Sequence, residues 1–311
     1  MKTILVTGAA GFIGSHLCES LMKQGHTVIG IDDMSLGRWR NIKHLISQEN
    51  FDLHIGDITK PLILSSIFHE YDITTIFHLA ANSDIASGVL SPEIDFKNTL
   101  MTTMSILNAT SEFNVKELIF ASSSAIYGET TAVLTEDFGP LVPVSHYGAA
   151  KLASEAFINS YAQACGFKVY ICRFPNVCGE HATHGVMLDL INKLKKDHSS
   201  LEVLGDGEQV KPYIYVRELV DAIVFIWGNA VEKINVFNIG VTSRTSVKFI
   251  AESIVKAMGY SKDIIKYKGG DRGWVGDIPQ FSLSTEKLAQ LGWSPTLSSN
   301  EAVELSIKRM L

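Results

Sequence analysis

Short apolar runs alternate with stretches of helical spacing along the first half of the chain. Residues 2–7 and 27–32 are nearly continuous apolar runs, the pattern of strands buried on both faces. Between them, residues 12–24 put Phe12, Ile13, His16, Leu17 and Leu21 at helical intervals. Further strands are predicted at 51–55, 75–79, 118–122 and 168–174, and long helices at 92–113 and 147–164. Strands joined by helices make parallel pairs, and right-handed crossovers then cover both faces of the sheet. The predicted architecture is therefore α/β, with a doubly wound parallel sheet. After Phe174 the rhythm loosens. Loops are expected at 181–185, 205–211 and 269–279, and helices at 186–196, 216–227, 246–258 and 300–310. The pattern divides the chain into a nucleotide-binding domain, residues 1–175, and a smaller C-terminal substrate-binding lobe, residues 176–311, with some segments of the lobe returning to the sheet.

Composition narrows the class of protein. The 311 residues are 46% hydrophobic and 19% charged, with a net charge of -6, which suits a globular chain with a full core. No basic block marks a nucleic-acid surface, and no apolar run approaches the length of a membrane span. The N-terminus runs directly into a glycine loop without the features of a signal peptide. Cys18, Cys165, Cys172 and Cys178 have no paired spacing and read as reduced thiols, so a cytoplasmic protein is expected. No metal-ligand spacing is present.

The first candidate chemistry is Thr7-Gly8-Ala9-Ala10-Gly11-Phe12-Ile13-Gly14, between a strand and a helix. Gly8 allows the tight turn, Gly11 admits a pyrophosphate, and Gly14 lets helix and strand pack closely; phosphates then meet free N–H groups at the helix N-terminus. The second strand ends in Asp32-Asp33. A carboxylate there accepts hydrogen bonds from ribose hydroxyls and repels a 2′-phosphate, which favours NAD over NADP. Asp33 leaves open which acid acts, and Arg38 and Arg40 keep NADP in view. Tyr147 and Lys151, four residues apart, share a helix face. A nearby ammonium favours the phenolate, so Lys151 is expected to lower the Tyr147 pKa and make it a general base. Ser122-Ser123-Ser124-Ala125-Ile126-Tyr127-Gly128 lies at the end of the preceding strand, where ligands of such sheets bind.

Together with Gly56-Asp57-Ile58, His78-Leu79-Ala80-Ala81, Asn98, Arg173-Phe174-Pro175-Asn176-Val177-Cys178-Gly179, Gly205-Asp206-Gly207-Glu208-Gln209 and Tyr213-Ile214-Tyr215-Val216, these motifs resemble the extended short-chain dehydrogenase/reductase family over essentially the whole chain. The similarity is to its NDP-sugar epimerases and dehydratases. It implies a Rossmann sheet and NAD, with Asp57 and Ile58 bordering the adenine. Leu79, Ala80, Ala81 and Asn98 would line the cofactor channel and Phe174 would lie by the nicotinamide. The catalytic hydroxyl falls on Ser123, the base on Tyr147, and Lys151 also holds the nicotinamide ribose. Asn176, Lys211 and Arg272 would bind the sugar nucleotide. Lys211 stands where the family usually has arginine, and it loses the bidentate fork. Cys178 stands where tyrosine is common.

The resemblance also bears on the reaction. Dehydratases of this kind carry Asp-Glu directly after the catalytic hydroxyl residue; Ser124 and Ala125 cannot perform that elimination. Epimerisation through transient oxidation is the economical reading, with C4 of a UDP-hexose first, leaving other carbons and bases open, along with a non-catalytic dinucleotide-binding role. Counting from Gly276-Asp277 puts the gatekeeping position beside the hexose C2 substituent on Phe281, whose bulk disfavours N-acetylated sugars. Finally, Met101, Met104, Phe157 and Ile158 give the two long helices apolar residues on more than one face, so a homodimer is expected.

Overall fold

The computed structural model describes residues 1–270 and 278–311. Seven strands form the central sheet: β1 (Thr3–Thr7), β2 (Thr27–Asp32), β3 (Phe51–Ile55), β4 (Thr75–His78), β5 (Glu117–Ser123), β6 (Lys168–Phe174) and β7 (Ile234–Asn238). Their order is β7-β6-β5-β4-β1-β2-β3, and every pairing is parallel. The chain enters at β1, winds out to β3, then crosses back to β4 on the other side of β1. That reversal opens a crevice at the carboxyl ends of β1 and β4, the usual ligand position in an open α/β sheet.

Strand alternation splits the core into two layers. Ile4, Val6 and Phe77 pack with Leu17, Cys18 and Leu21 of helix α1 (Phe12–Lys23) on one face. Leu5, Ile29, Ile31 and Ile76 point to the other face, against Ile106 and Ile158. Ile158 belongs to helix α2 (His146–Cys165), which starts where Ser145 accepts a hydrogen bond from the Gly148 N–H and stops at left-handed Gly166. Beyond β6, helices α3 (Val186–Lys196), α4 (Val216–Asn229), α5 (Val247–Ala257) and α6 (Ser299–Met310) follow. α3, α5 and α6 surround a separate core that includes Leu190, Ile254 and Val303, while α4 returns to the sheet beside α1. The α6 start carries a capping box between Ser298 and Glu301.

The long helix expected over 92–113 is present and carries an irregularity: its helical backbone is continuous from Pro92–Asp95 through a π-helical turn, Phe96–Met101, into Thr102–Glu112. Polar side chains interfere with the ladder there. The Thr102 hydroxyl donates to the Asn98 and Thr99 carbonyls and Thr103 to the Thr99 carbonyl. Such turns often occur at functional positions, and this one sets Asn98 into a cavity wall.

Candidate active site

A cavity of about 990 Å³ runs along the carboxyl ends of the strands into the C-terminal lobe. It collects the expected residues from widely separated parts of the chain: Gly8, Gly11, Phe12, Ile13, Gly14, Asp32, Asp57, Ile58, Leu79, Ala80, Ala81, Asn98, Ser123, Tyr147, Lys151, Phe174, Asn176, Lys211 and Phe281 all line it. Arg272, and the Gly276-Asp277 pair from which Phe281 was counted, lie outside the described residues.

The glycine loop is a cradle that side chains would fill. Gly8 has φ +71°, and a Cβ there would stand 3.0 Å from the Ala80 nitrogen; a Cβ on Gly14 would stand 2.0 Å from the Gly8 carbonyl oxygen. The neighbouring 79–81 loop is held from behind. The Thr7 hydroxyl accepts from the Leu79 and Ala80 N–H groups, so its own hydrogen goes to His78 Nδ1, 2.8 Å away. His78 Nε2 is then left to donate to the Thr103 hydroxyl at 3.2 Å. Full burial holds this imidazole neutral, with its pKa lowered to about 3.

The two candidate acids part company. Asp32 is 7% exposed, and its carboxylate accepts from the Ala10 and Met34 N–H groups at 2.9 and 2.8 Å. Burial raises its pKa, against those two amides. Asp33 is exposed and closes on Ser35 instead. Neither Arg38 nor Arg40 lines the cavity. A glycine cradle without side chains beside one buried, braced carboxylate fits the diphosphate and ribose of NAD.

Ser123, at the end of β5, accepts from the Ala125 N–H at 3.1 Å and lies within hydrogen-bonding range of the Tyr147 phenol. Lys151 is 2% exposed; its ammonium donates to the Ala121 carbonyl at 2.6 Å and lies over the Phe120 ring. Here the structure corrects the sequence reading. The net shift of Tyr147 runs upward, not downward: burial pushes the phenol up to about 12, Ser123 opposes that rise, and the Asp95 carboxylate adds to it. Burial likewise draws Lys151 down to about 7, opposed by Glu155 and Asp95. Residue spacing gave the shared face correctly, but desolvation, which spacing does not report, is the larger effect.

Beneath the site lies a buried ion pair. Arg173 Nη2 and Glu155 Oε2 are 2.7 Å apart, with both side chains under 10% exposed. Ser122 donates to the same carboxylate, and Arg173 Nη1 donates to the Tyr127 hydroxyl and the Glu136 carbonyl, each at 3.0 Å. Sequence reasoning missed Glu155, although it stands four residues after Lys151 and so on the same helix face. It also missed Asn82 and Asp95, which nothing in their spacing marked. In the lobe, Asn176 reaches the Pro212 carbonyl at 3.5 Å, and Cys178 is buried, its thiol against the Ile214 carbonyl. Phe281 is 8% exposed, packing with Ile126, Tyr127 and Leu283 while its ring edges the cavity.

The family model described as the NAD dependent epimerase/dehydratase family matches residues 4–240. The chain belongs to this family. It is 30% identical to a UDP-glucose 4-epimerase of Mycolicibacterium smegmatis and 29% identical to a putative UDP-glucose 4-epimerase of Methanocaldococcus jannaschii, each covering 99% of this chain and 98% of the relative. Among solved structures, the UDP-glucose 4-epimerase of Thermotoga maritima with UDP-glucose superimposes with a TM-score of 0.88 at 30% identity. The Thermus thermophilus UDP-glucose 4-epimerase in complex with NAD gives 0.88 at 27%. Each of these structures covers 99% of this chain and is itself covered to 98%. NAD is thus the cofactor of the family, and the cradle described above suits it.

Proposed function

We propose that the protein is an NAD-dependent 4-epimerase of UDP-hexoses, working through a transient 4-keto sugar. One observation carries this reading: Ser123 and Tyr147 meet at the cofactor cavity, while the next two positions, Ser124 and Ala125, bring no carboxyl group into it. Proton transfer to and from a sugar hydroxyl is provided for; elimination of water is not.

The turn at Gly8 and Gly11, kept tight by the close packing at Gly14, would hold the diphosphate of NAD, Asp32 the adenosine ribose, Asp57 and Ile58 the adenine, and Lys151 the nicotinamide ribose. Bound there, NAD supplies the hydride acceptor and donor for the sugar carbon and, while oxidised, a positive charge that favours the phenolate. Ser123 holds the C4 oxygen, and Tyr147 takes its proton. The tyrosine's raised proton affinity makes it a strong base once ionised, and the same phenol returns the proton after inversion. Asn176 and Lys211, with Arg272, hold the nucleotide diphosphate, so the hexose turns about a fixed anchor. At about 990 Å³ the cavity is at the top of the usual range for small-molecule sites, roughly 300–1,000 Å³. Incubation with UDP-, GDP-, CDP- and dTDP-hexoses, read by NMR, should show interconversion of UDP-glucose and UDP-galactose. A 4,6-dehydrated product, or no turnover of any of them, would overturn the reading.

Phe281 is proposed as the gate beside C2. Forcing an acetamido group against its ring requires repacking at about 1–3 kcal/mol, roughly a 5- to 150-fold discrimination. The expected result is a higher kcat/KM for UDP-galactose than for UDP-N-acetylgalactosamine, with Phe281→Ser narrowing the gap. A wild type that prefers the acetylated sugar would rule the gate out.

The same reading includes a homodimer. Met101 and Phe157 are 39% and 43% exposed, and Phe96 nearby is 58% exposed, whereas Ile158 is buried against the sheet and Met104 is partly so. Three large apolar side chains facing outward from these helices are what a helix-to-helix interface requires. Light scattering at micromolar concentration should give twice the monomer mass; the monomer mass would exclude it. The cysteines are free, three of them buried, which supports placement in the reducing cytoplasm. Among the described residues no helix is long and apolar enough to cross a membrane.

A further inference from the structure

Asp95 is 1% exposed, and only one of its carboxylate oxygens is satisfied. Oδ1 accepts from Asn82 Nδ2 at 2.7 Å, while Oδ2 has no hydrogen-bond partner. A buried carboxylate oxygen without a donor is costly, and an apolar residue would remove that cost. The fold nonetheless makes room for it. Gly88 faces Oδ2 so closely that a Cβ there would stand 1.9 Å away. Asp95 also ends the short helix that leads into the π-turn, and this helix packs against α2, the carrier of Tyr147 and Lys151.

Through Asn82, Asp95 reaches the cavity wall. Asn82 Nδ2 also donates to the Asp84 carbonyl, and Asn82 Oδ1 accepts from the Asp84 N–H. Asp84 in turn caps the Ile85–Leu90 helix, and Asn82, Ser83 and Asp84 all line the cavity. The charged and titratable groups that act on Asp95 are Asp84 from that cap and His146 and Lys151 from α2, and Tyr147 feels its charge.

We propose that Asp95 is a positioning residue of the active site: it fixes the Asn82–Asp84 wall against α2 and sets the charge environment in which Tyr147 and Lys151 work. This rests on the reading of Tyr147 and Lys151 as the catalytic pair. A negative charge behind them favours the proton on both groups. It keeps the lysine ammonium charged against the pull of burial, and it makes the tyrosine a stronger base once ionised. Asp95's own proton affinity is raised by burial and by Asp84, and lowered by Asn82, His146 and Lys151. The charge therefore fades as the pH falls toward that raised value.

The test is the pH profile of kcat/KM for Asp95→Asn, measured on the NAD-loaded enzyme with UDP-galactose. Asparagine keeps an acceptor for Asn82 and removes only the charge. Both limbs should move to lower pH by about one unit, the size of a single neighbouring charge. The absorbance of the Tyr147 phenolate, taken as the difference from Tyr147→Phe, should move with the acid limb. A folded Asp95→Asn enzyme with unmoved limbs overturns the proposal, since a purely structural side chain changes stability and leaves ionisations alone. If Asp95→Asn does not fold, Gly88→Ala serves: its methyl group displaces the carboxylate and should shift the same limbs, and unmoved limbs again overturn the idea. Near-normal turnover in Tyr147→Phe would instead refute the underlying assignment, so the two failures are distinguishable.

Discussion

Tyr147→Phe should lower kcat by roughly 10²–10⁴-fold, the contribution of a general base, while folding and NAD binding stay intact. The ring keeps its place because it is anchored by α2, whose start is set by Ser145 and whose inner face carries Lys151 and Ile158. Only the hydroxyl proposed to exchange a proton with the sugar is lost. The raised proton affinity of this phenol sharpens the expectation. Burial holds the Tyr147 phenol protonated in the free site at neutral pH, and on the proposed mechanism the positive charge of bound, oxidised NAD would favour the phenolate. Single-turnover measurement of NADH formation with UDP-galactose separates the chemical step from release. A phenylalanine variant that reduces NAD at near the wild-type rate would refute the role of Tyr147.

Glu155→Leu is expected to be the most destabilising single change near the site. It leaves the Arg173 guanidinium buried with no counter-charge and strips the Ser122 hydroxyl of its acceptor. Breaking a buried pair from one side typically costs about 3–5 kcal/mol, whereas replacing both partners by apolar groups is often close to neutral. Urea unfolding should therefore show a large loss for Glu155→Leu and substantial recovery in Glu155→Leu combined with Arg173→Met. Equal stability of the single variant and the wild type would show that the pair contributes nothing. The single variant should also weaken Lys151 as an ammonium, because Glu155 is one of the two carboxylates that oppose its deprotonation.

Much of this protein is written locally. The inner strand runs β1, β2, β4, β5 and β6 are legible because a parallel strand buried on both faces must be apolar nearly throughout, and the edge strand β3 by its alternation of apolar and polar residues. The glycine loop is legible because its requirement is steric: no side chain fits between Gly14 and the Gly8 carbonyl. Tyr147 and Lys151 are legible because one helical turn joins them. Each of these constraints acts within a few residues, so residue identity and spacing report it.

Other features arise from contacts between residues far apart in sequence. Asp32 and Asp33 are chemically equal in the sequence; only the fold buries one against the Ala10 amide and turns the other out to Ser35. Even within one helix, residue pattern did not report the π-turn at Phe96–Met101, which sets Asn98 into the cavity wall just after Asp95. Glu155 meets Arg173 from 18 residues away, and Asn82 meets Asp95 from 13. The proton affinities diverge furthest from the sequence reading. A lysine one turn away argued for an acidic tyrosine, yet Lys151 is buried, Tyr147 is half-buried with its phenol withdrawn from water, and the loss of solvation is the larger effect on each. Desolvation depends on everything that surrounds a group, so sequence alone determined which residues are candidates for the chemistry, and tertiary structure decided how strongly each holds its proton.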